Sequence, residues 1–387
     1  MKKPKPSVKG INADLLEMVN AVPEFRRMCA NYRHGLPDIL LLDIMARLCR
    51  CVSRSDIIAF GIRDVRKLKS MGICLNGIPS EPTLSRVFKA IDDSVMAGLY
   101  SKFADKFCVK VDRGLKVVAV DGKCMRGTER EDGRCPDVVS AYSVDEGITL
   151  GTEMCDGKSN EITAAPKLLE RLDLTGTVVT SDAMLCQKDI IDGILDGNGH
   201  FLVEVKANHK ALRWSLEDRL VNAKPYDTYT QEPELLHGRI ECRTCSAYHG
   251  ADLVVDSEKW GAALTVVTRE SVCTSKKDGT VSEEKRIYIS DLQCDAETFE
   301  SMSRRHWRIE SMHWRLDRNM KQDCIRRKSA CAARNLDTIQ RLCLSMLSIW
   351  KKRRRKCADR KTGDVTLLRK CSLDFSFLKP KSVIRVL

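Results

Sequence analysis

The sequence predicts an α/β fold, with helices ahead of the core and a mainly β segment set into it. Three observations predict it. Before residue 113 the apolar spacing is helical, with Leu41, Ile44, Met45 and Leu48 recurring three and four apart. The period then changes to short continuous apolar runs, of which Lys116-Val117-Val118-Ala119-Val120 is the first. Beyond it, strand-like and helix-like segments alternate.

Residues 1–25 read as a loosely ordered basic lead, and residues 26–105 as a helical domain. Gly77-Ile78-Pro79-Ser80 interrupts the helical pattern, and Ser80 is placed to N-cap a helix with Glu81 and Pro82 in its first turn. A short helix, a turn and a capped helix bearing Ser85, Arg86 and Lys89 has the form of a DNA-reading element. A small bundle that only packs on the next domain fits equally well. The core is expected over 110–224 and 285–352. Two strands follow the first, at 138–144 and 148–154, and Asp145-Glu146-Gly147 joins them as a hairpin. A helix near 163–172, a strand at 177–180, a helix at 187–195, a strand at 201–205 and a helix at 210–220 complete this half. Three strands and then alternation is the order of an RNase H-like α/β domain, although fold order alone says little about function. Residues 225–284 break the alternation and read as a β-rich insertion. Helices return from 296 to about 352, and residues 353–387 form a basic tail. The tail continues the block Lys351-Lys352-Arg353-Arg354-Arg355-Lys356, either a solvated charge run or a phosphate clamp.

The net charge is +13, from 66 Lys and Arg against 53 Asp and Glu, which favours an anionic partner such as nucleic acid or an acidic membrane. No apolar run follows the basic start, so a secretory leader is not expected. The apolar stretch Ile39-Leu40-Leu41-Leu42 meets Asp43 and is too short for a bilayer. The 18 cysteines lack the dense spacing of a small secreted framework, so reduced thiols in a cytoplasm are expected. Cys242-Arg243-Thr244-Cys245 is a lone C-x-x-C in a strand-like stretch, where alternate side chains face opposite ways, so zinc is not expected.

Two aspartates occupy equivalent places. Asp121 follows the first strand in Val120-Asp121-Gly122-Lys123, and Asp182 follows a later one in Thr180-Ser181-Asp182-Ala183-Met184. Carboxylates at the C-terminal ends of neighbouring strands converge where α/β sheets place their ligands. Their hard oxygens suit Mg2+ or Mn2+. Each could instead cap the turn after its strand. A third acid, Glu310, lies in the helical stretch Arg304–Asp317. At about 100° per residue, Met302, Ile309, Leu316 and Met320 form a core stripe, and His306, Glu310, His313, Trp314 and Asp317 a second one beside it. Glu310 is therefore expected at the edge of the buried face, unless it is an ordinary surface residue. Core packing is the favoured reading of Trp307 and Trp314, with stacking on bases as the alternative.

These segments, taken in order, resemble the H-repeat-associated insertion-sequence transposases of the DDE superfamily. The resemblance runs from about His34 to about Leu347. Leu36-Pro37-Asp38-Ile39-Leu40 and Asn76-Gly77-Ile78-Pro79-Ser80 are similar to the family's N-terminal associated domain. Asp121-Gly122-Lys123 with Arg126-Gly127 resembles its first catalytic block, and Asp182-Ala183-Met184 with Cys186-Gln187-Lys188 its second. His306-Trp307, Ile309-Glu310, His313-Trp314 and Leu316-Asp317 resemble the third. Lys158-Ser159-Asn160-Glu161-Ile162, Val205-Lys206-Ala207-Asn208 and His237-Gly238-Arg239-Ile240-Glu241 are further similar segments. Ser311 stands where the family usually has Asn.

The resemblance implies an RNase H-like catalytic core and two divalent metals, Mg2+ or Mn2+, held by Asp121, Asp182 and Glu310. It implies cleavage at the ends of a bacterial insertion sequence and strand transfer into target DNA. The partners would be terminal inverted repeats and target DNA, with a homodimer pairing the two ends, in a cytoplasmic, nucleoid-associated setting without a membrane. Lys123, Arg126, Lys206 and Arg239 are candidates for neutralising phosphates, with Arg86 and His306 as further DNA contacts. A nuclease that cuts without joining, a non-catalytic DNA-binding copy and an RNA-directed nuclease are the rival readings.

Overall fold

The strands assemble around one parallel pair. In a computed structural model, which describes residues 13–29, 32–107, 115–128, 135–155, 161–236, 238–353 and 363–374, the chain begins with helices. These are α1 (Ala13–Asn20), α2 (Leu36–Leu48), α3 (Arg54–Arg63), α4 (Val65–Ser70), α5 (Glu81–Ala90) and α6 (Asp93–Phe107). β1 (Lys116–Cys124), β2 (Asp137–Ser143) and β3 (Ile148–Met154) follow, then α7 (Glu161–Leu169), β4 (Thr177–Ser181), α8 (Lys188–Asp196), β5 (His200–Val205) and α9 (Lys210–Leu220). β6 (Asp227–Leu236) and β7 (Arg239–His249) form a hairpin, and two one-turn helices, α10 (Gly250–Leu253) and α11 (Ser257–Trp260), lead to β8 (Thr265–Ser275) and β9 (Val281–Ser290). The last helices are α12 (Ala296–His306), α13 (Arg308–Arg318), α14 (Ala330–Arg353) and α15 (Asp364–Asp374).

The strands make one mixed sheet in the order β3-β2-β1-β4-β5-β9-β8-β7-β6. β1, β4 and β5 are parallel, as right-handed crossovers through α7 and α8 require, and all other neighbours are antiparallel. The hairpin signal at 145–147 is met: β2 and β3 are joined there, with Gly147 at φ 70°. The strand-rich segment read as an insertion is continuous with this sheet. The C-terminal half of β9 pairs with β5, Val203 opposite Ile289, while its N-terminal half continues outward along β8. Cys242 and Cys245 both lie in β7, Cys245 buried and Cys242 partly exposed.

Both faces of the sheet are covered. Val118, Val120, Val139, Val179 and Phe201 pack under α7 and α8. Val117, Ala119, Val178 and Leu202 face α12, α13 and α14, and their cluster runs without a gap into α2, α5 and α6. α14 makes that link. Its Asn335 amide donates to Phe88 O and Ile91 O at 3.0 Å, and Ser345 Oγ shares a 2.6 Å hydrogen bond with Tyr100 OH. α2 is buried nearly all round, which a helix tolerates only at the centre of a cluster.

Three differences from the sequence expectations have physical causes. The lead is partly ordered: Leu15 and Val19 of α1 are buried against α2, because that short segment carries one apolar face. The tail also contains a helix, α15, whose Leu367, Leu368 and Cys371 join the same core. The long third-block helix breaks at Trp307 into α12 and α13. Lys158, Ser159, Asn160, His237, Arg354, Arg355 and Lys356 lie outside the described residues.

One polar pair sits deep in this core. Arg341 and Asp337 on α14 form an ion pair at 2.8 Å, both almost fully buried, and Gln322 Nε2 also donates to Asp337 Oδ1 at 2.8 Å. Arg341→Met leaves a buried carboxylate without its charge partner and should lower stability by about 3–5 kcal/mol. The double variant Asp337→Leu/Arg341→Met should recover most of that loss. Urea unfolding of the three proteins checks this, and equal stability of single and double variants would contradict it.

Candidate active site

The parallel register fixes the site. β1 and β4 pair up to Val120 opposite Ser181, where β4 ends. Asp121 and Asp182 are the next residues on the two strands, on the face that carries α12 and α13. Asp121 lies within β1, which continues to Cys124 on its pairing with β2 alone, with Asp121 opposite Ser140. The sequence reading ended that strand at Val120, four residues early, because polar Asp-Gly-Lys masks a segment held by one neighbour. Asp182 does follow β4, and it also caps: its Oδ1 accepts from Met184 N at 3.1 Å. The two readings of that residue are compatible.

The charges around Asp121 are all of one sign. Its carboxyl is pushed up to about 7, first by burial, then by Asp182 and, less, by Glu310. A fourth acid joins them. Glu161, at the start of α7, lies on the other face of β1, over Gly122, where a Cβ would fall inside the Glu161 carboxyl group. Burial and then Asp121 and Asp182 push Glu161 up to about 7 as well. Among the described residues, none of these four carboxyls is paired with a lysine or arginine. The nearest cation on β1, Lys123, is committed to Asp317 at 2.9 Å and Asp323 at 3.4 Å.

α13 supplies the roof. Ile309, Met312 and Leu316 are buried, as their stripe predicts. Glu310 is exposed, further toward water than expected, yet close enough to raise Asp121. One turn later His313 Nδ1 stands 3.7 Å from Asp121 Oδ2. Burial, with Arg341 and Lys123 nearby, keeps that imidazole neutral. His306 is buried on α12 and shares a 3.1 Å hydrogen bond with Thr180 Oγ1, and burial lowers it to about 4. Trp314 is 59% exposed, not packed in the core, with Arg318 over its ring. Trp307 is partly buried under the Arg286 guanidinium, 4.5 Å from the ring centroid.

Does this set fit divalent cations? The donors are hard carboxylate oxygens with no internal counter-charge, the chemistry that Mg2+ or Mn2+ takes. His313 Nε2 and Ser140 Oγ are buried beside Asp121 without hydrogen-bond partners. Among the described residues, no three His, Cys, Asp or Glu side chains converge to ligand spacing. In chemistry the residues fit the group; in spacing they are open.

Comparison with known proteins decides the family. Residues 112–346 match the transposase DDE domain, and residues 16–104 match the family described as DDE_Tnp_1-associated. The chain belongs to the transposase DDE domain family. It is 32% identical to a putative transposase, YncI, of Escherichia coli O157:H7, over 94% of this chain and 93% of that one. It is 32% identical to the H repeat-associated putative transposase YhhI of Escherichia coli strain K12, over 86% of this chain and 90% of that one. An uncharacterized protein from the dhlA 3′ region of Xanthobacter autotrophicus is 31% identical over 71% of this chain and 93% of its own.

The transposase places the six candidate DNA contacts unequally. Arg86, Arg126 and Arg239 are exposed. Lys206 is exposed but paired with buried Glu204 at 3.1 Å. Lys123 is buried in its ion pairs, and His306 is buried and neutral, so neither stands as a free phosphate partner. No helix among the described residues is long and apolar enough to cross a membrane. Sequence reasoning gave Glu161 no role, although Gly122 inside a strand was a signal, since such glycines mark close approach.

Asp121 and Glu161 keep their protons up to about pH 7, whereas in the unfolded chain such groups lose them near pH 4. The folded protein therefore binds the extra protons, and their contribution to stability falls as pH rises through that window. Asp121→Asn and Glu161→Gln should each raise the melting temperature at pH 8 in chelator, with no gain at pH 4. Thermal melts at both pH values check this; an equal effect at both would refute it.

Proposed function

We propose that this transposase cuts phosphodiesters at the ends of a bacterial insertion sequence and transfers the strands into target DNA. The observation that carries the reading is the gathering of Asp121, Asp182, Glu310 and Glu161, unpaired, at the end of β1 and β4. We assign residues 110–224 and 285–352 to an RNase H-like core, 225–284 to its β-rich insertion, 26–105 to an associated helical domain, 1–25 to a basic lead and 353–387 to a basic tail. The partners in this reading are terminal inverted repeats and target DNA, with two copies of the chain pairing the ends.

The chemistry follows from the residues. Asp121 and Asp182 would hold divalent cations, Mg2+ or Mn2+, with Glu310 closing the site from α13 and Glu161 from α7. Two such ions, when bound, supply charge that activates an attacking hydroxyl and stabilises the leaving oxygen. Bound cations would favour the ionised carboxylates, opposing the burial and the like charge that raise Asp121 and Glu161. His306, neutral and fixed to Thr180, holds α12 against β4 and so sets where α13 begins. His313 offers Asp121 an uncharged neighbour that does not compete for the cation.

A labelled duplex carrying the element's terminal repeat tests this. Wild-type protein should give cut and joined products only with Mg2+ or Mn2+. Asp121→Asn, Asp182→Asn and Glu310→Gln should each lose activity by about 10²- to 10³-fold or more while still binding duplex. Full activity in Asp182→Asn would overturn the assignment, and cutting without joining would favour a nuclease.

A further inference from the structure

A second concentration of uncompensated charge, of the opposite sign, lies where the N-terminal helices meet the segment leading into α14. A cavity of about 230 Å³ is lined there by Arg47, Arg54, Lys89, Arg326, Arg327 and Lys328. Its one acid, Asp43, is already bound to Arg47 at 2.7 Å. Among the described residues, the other five cations have no ion pair. None of the four acids of the active site lines the cavity.

Arg327 shows the cost of this arrangement. Burial, then Arg47 and Arg54, lower its guanidinium to about 10. Its guanidinium donates to the carbonyl of Arg326, at 3.0 Å. Like charges at close range repel, so such a cluster is costly without a counter-charge. Here Arg327 N donates to Gly127 O at 3.0 Å, and Thr128 and Arg327 form a β-bridge. Gly127 is so tightly enclosed that a Cβ would lie 2.8 Å from Ile325 O. The backbone of this segment is thus clamped beside the end of β1, which holds the bases of these side chains close together.

We propose that this pocket seats a phosphate of the DNA backbone, making α5 and residues 326–329 a joint clamp on duplex DNA. The inference rests on the transposase reading and adds a binding surface to it. Guanidinium forks match phosphate oxygens, and the Ser85 and Ser329 hydroxyls at the wall can donate further bonds. The positive charge does not stop at the cavity. Arg86 on α5 is exposed just outside the lining, and Lys89, Arg326 and Lys328 of the lining are themselves exposed at the surface, which suits a polymer of phosphates more than one small anion. Through Thr128 the clamp is also tied to the strand that carries Asp121.

The test uses the full chain and a short fluorescent duplex, with binding measured across a salt series in chelator. Arg327→Gln should reduce the slope of log K against log salt by about 1. It should also melt no lower than wild type, since a mutually repelling cation has gone, and a merely structural arginine would not behave so. Arg54→Gln/Lys89→Gln should likewise reduce the slope, and it decides the matter if Arg327→Gln folds poorly. Lys69→Gln, which removes an exposed charge from α4, should leave the slope unchanged. Wild-type slopes in both pocket variants would overturn the clamp while leaving the transposase reading intact. Thermal protection by inorganic phosphate with an unchanged duplex slope would overturn it in favour of a small-anion site. Absence of duplex binding by the wild type would overturn both.

Discussion

The parallel pairing of β1 with β4 is the constraint on which the rest depends. It sets two aspartates side by side at the point where one strand stops and the other continues. Everything nearby is arranged around the resulting negative charge. Asp121 is half-buried, and among the described residues no lysine or arginine neutralises it. Lys123, two residues on, is turned aside into Asp317 and Asp323. A structure selected only for stability would pair such a carboxylate, because an isolated buried charge is costly. In the proposed reading, a bound cation would offset that cost.

The second layer of organisation is the helical cover. α12 and α13 are held to the sheet by a core stripe and by one buried histidine bond, from His306 to Thr180. Past the break at Trp307, α13 brings His313 to 3.7 Å from Asp121 and Glu310 near enough to raise it, while Ile309 and Leu316 stay buried. α14 then ties that cover to α2, α5 and α6 in a single apolar cluster. Movement of the N-terminal helices would therefore be felt at α13, through Arg341, which touches Met312 and Asp337 at once.

The sequence was legible wherever one periodicity ruled a whole element. The strands of the core, the hairpin at 145–147, the helix start at Ser80 (which occupies the N-cap position without a side-chain capping bond) and the buried stripe of α13 all follow from local pattern. Features set by a neighbour were not legible. β1 runs past Val120 because β2 pairs with it, which no pattern in β1 itself reveals. Glu161 reads as an ordinary first-turn acid of a helix; its place over Gly122 depends on where α7 docks. Trp314 was expected in the core on residue type, yet it lies on the far side of α13 from Leu316. The strand-rich segment announced itself by composition, but its continuity with β5 is a matter of sheet edges.

The two uncompensated charge centres make physical sense together. A net charge of +13 attracts polyanions in general but does not say where they sit. If the cations had been spread beside the acids, they would have paired with them, as Lys123 pairs with Asp317 and Asp323, and neither group would remain free for a ligand. Separation preserves both. The acids stay available for metal at the end of β1, and the arginines stay available for phosphate on the far end of the Gly127-Thr128 turn. The backbone bridge between Thr128 and Arg327 then has a definite consequence. It fixes the spacing between the charge that would hold a DNA backbone and the charge that would cut it, and that spacing is a property of strands and turns, not of flexible side chains.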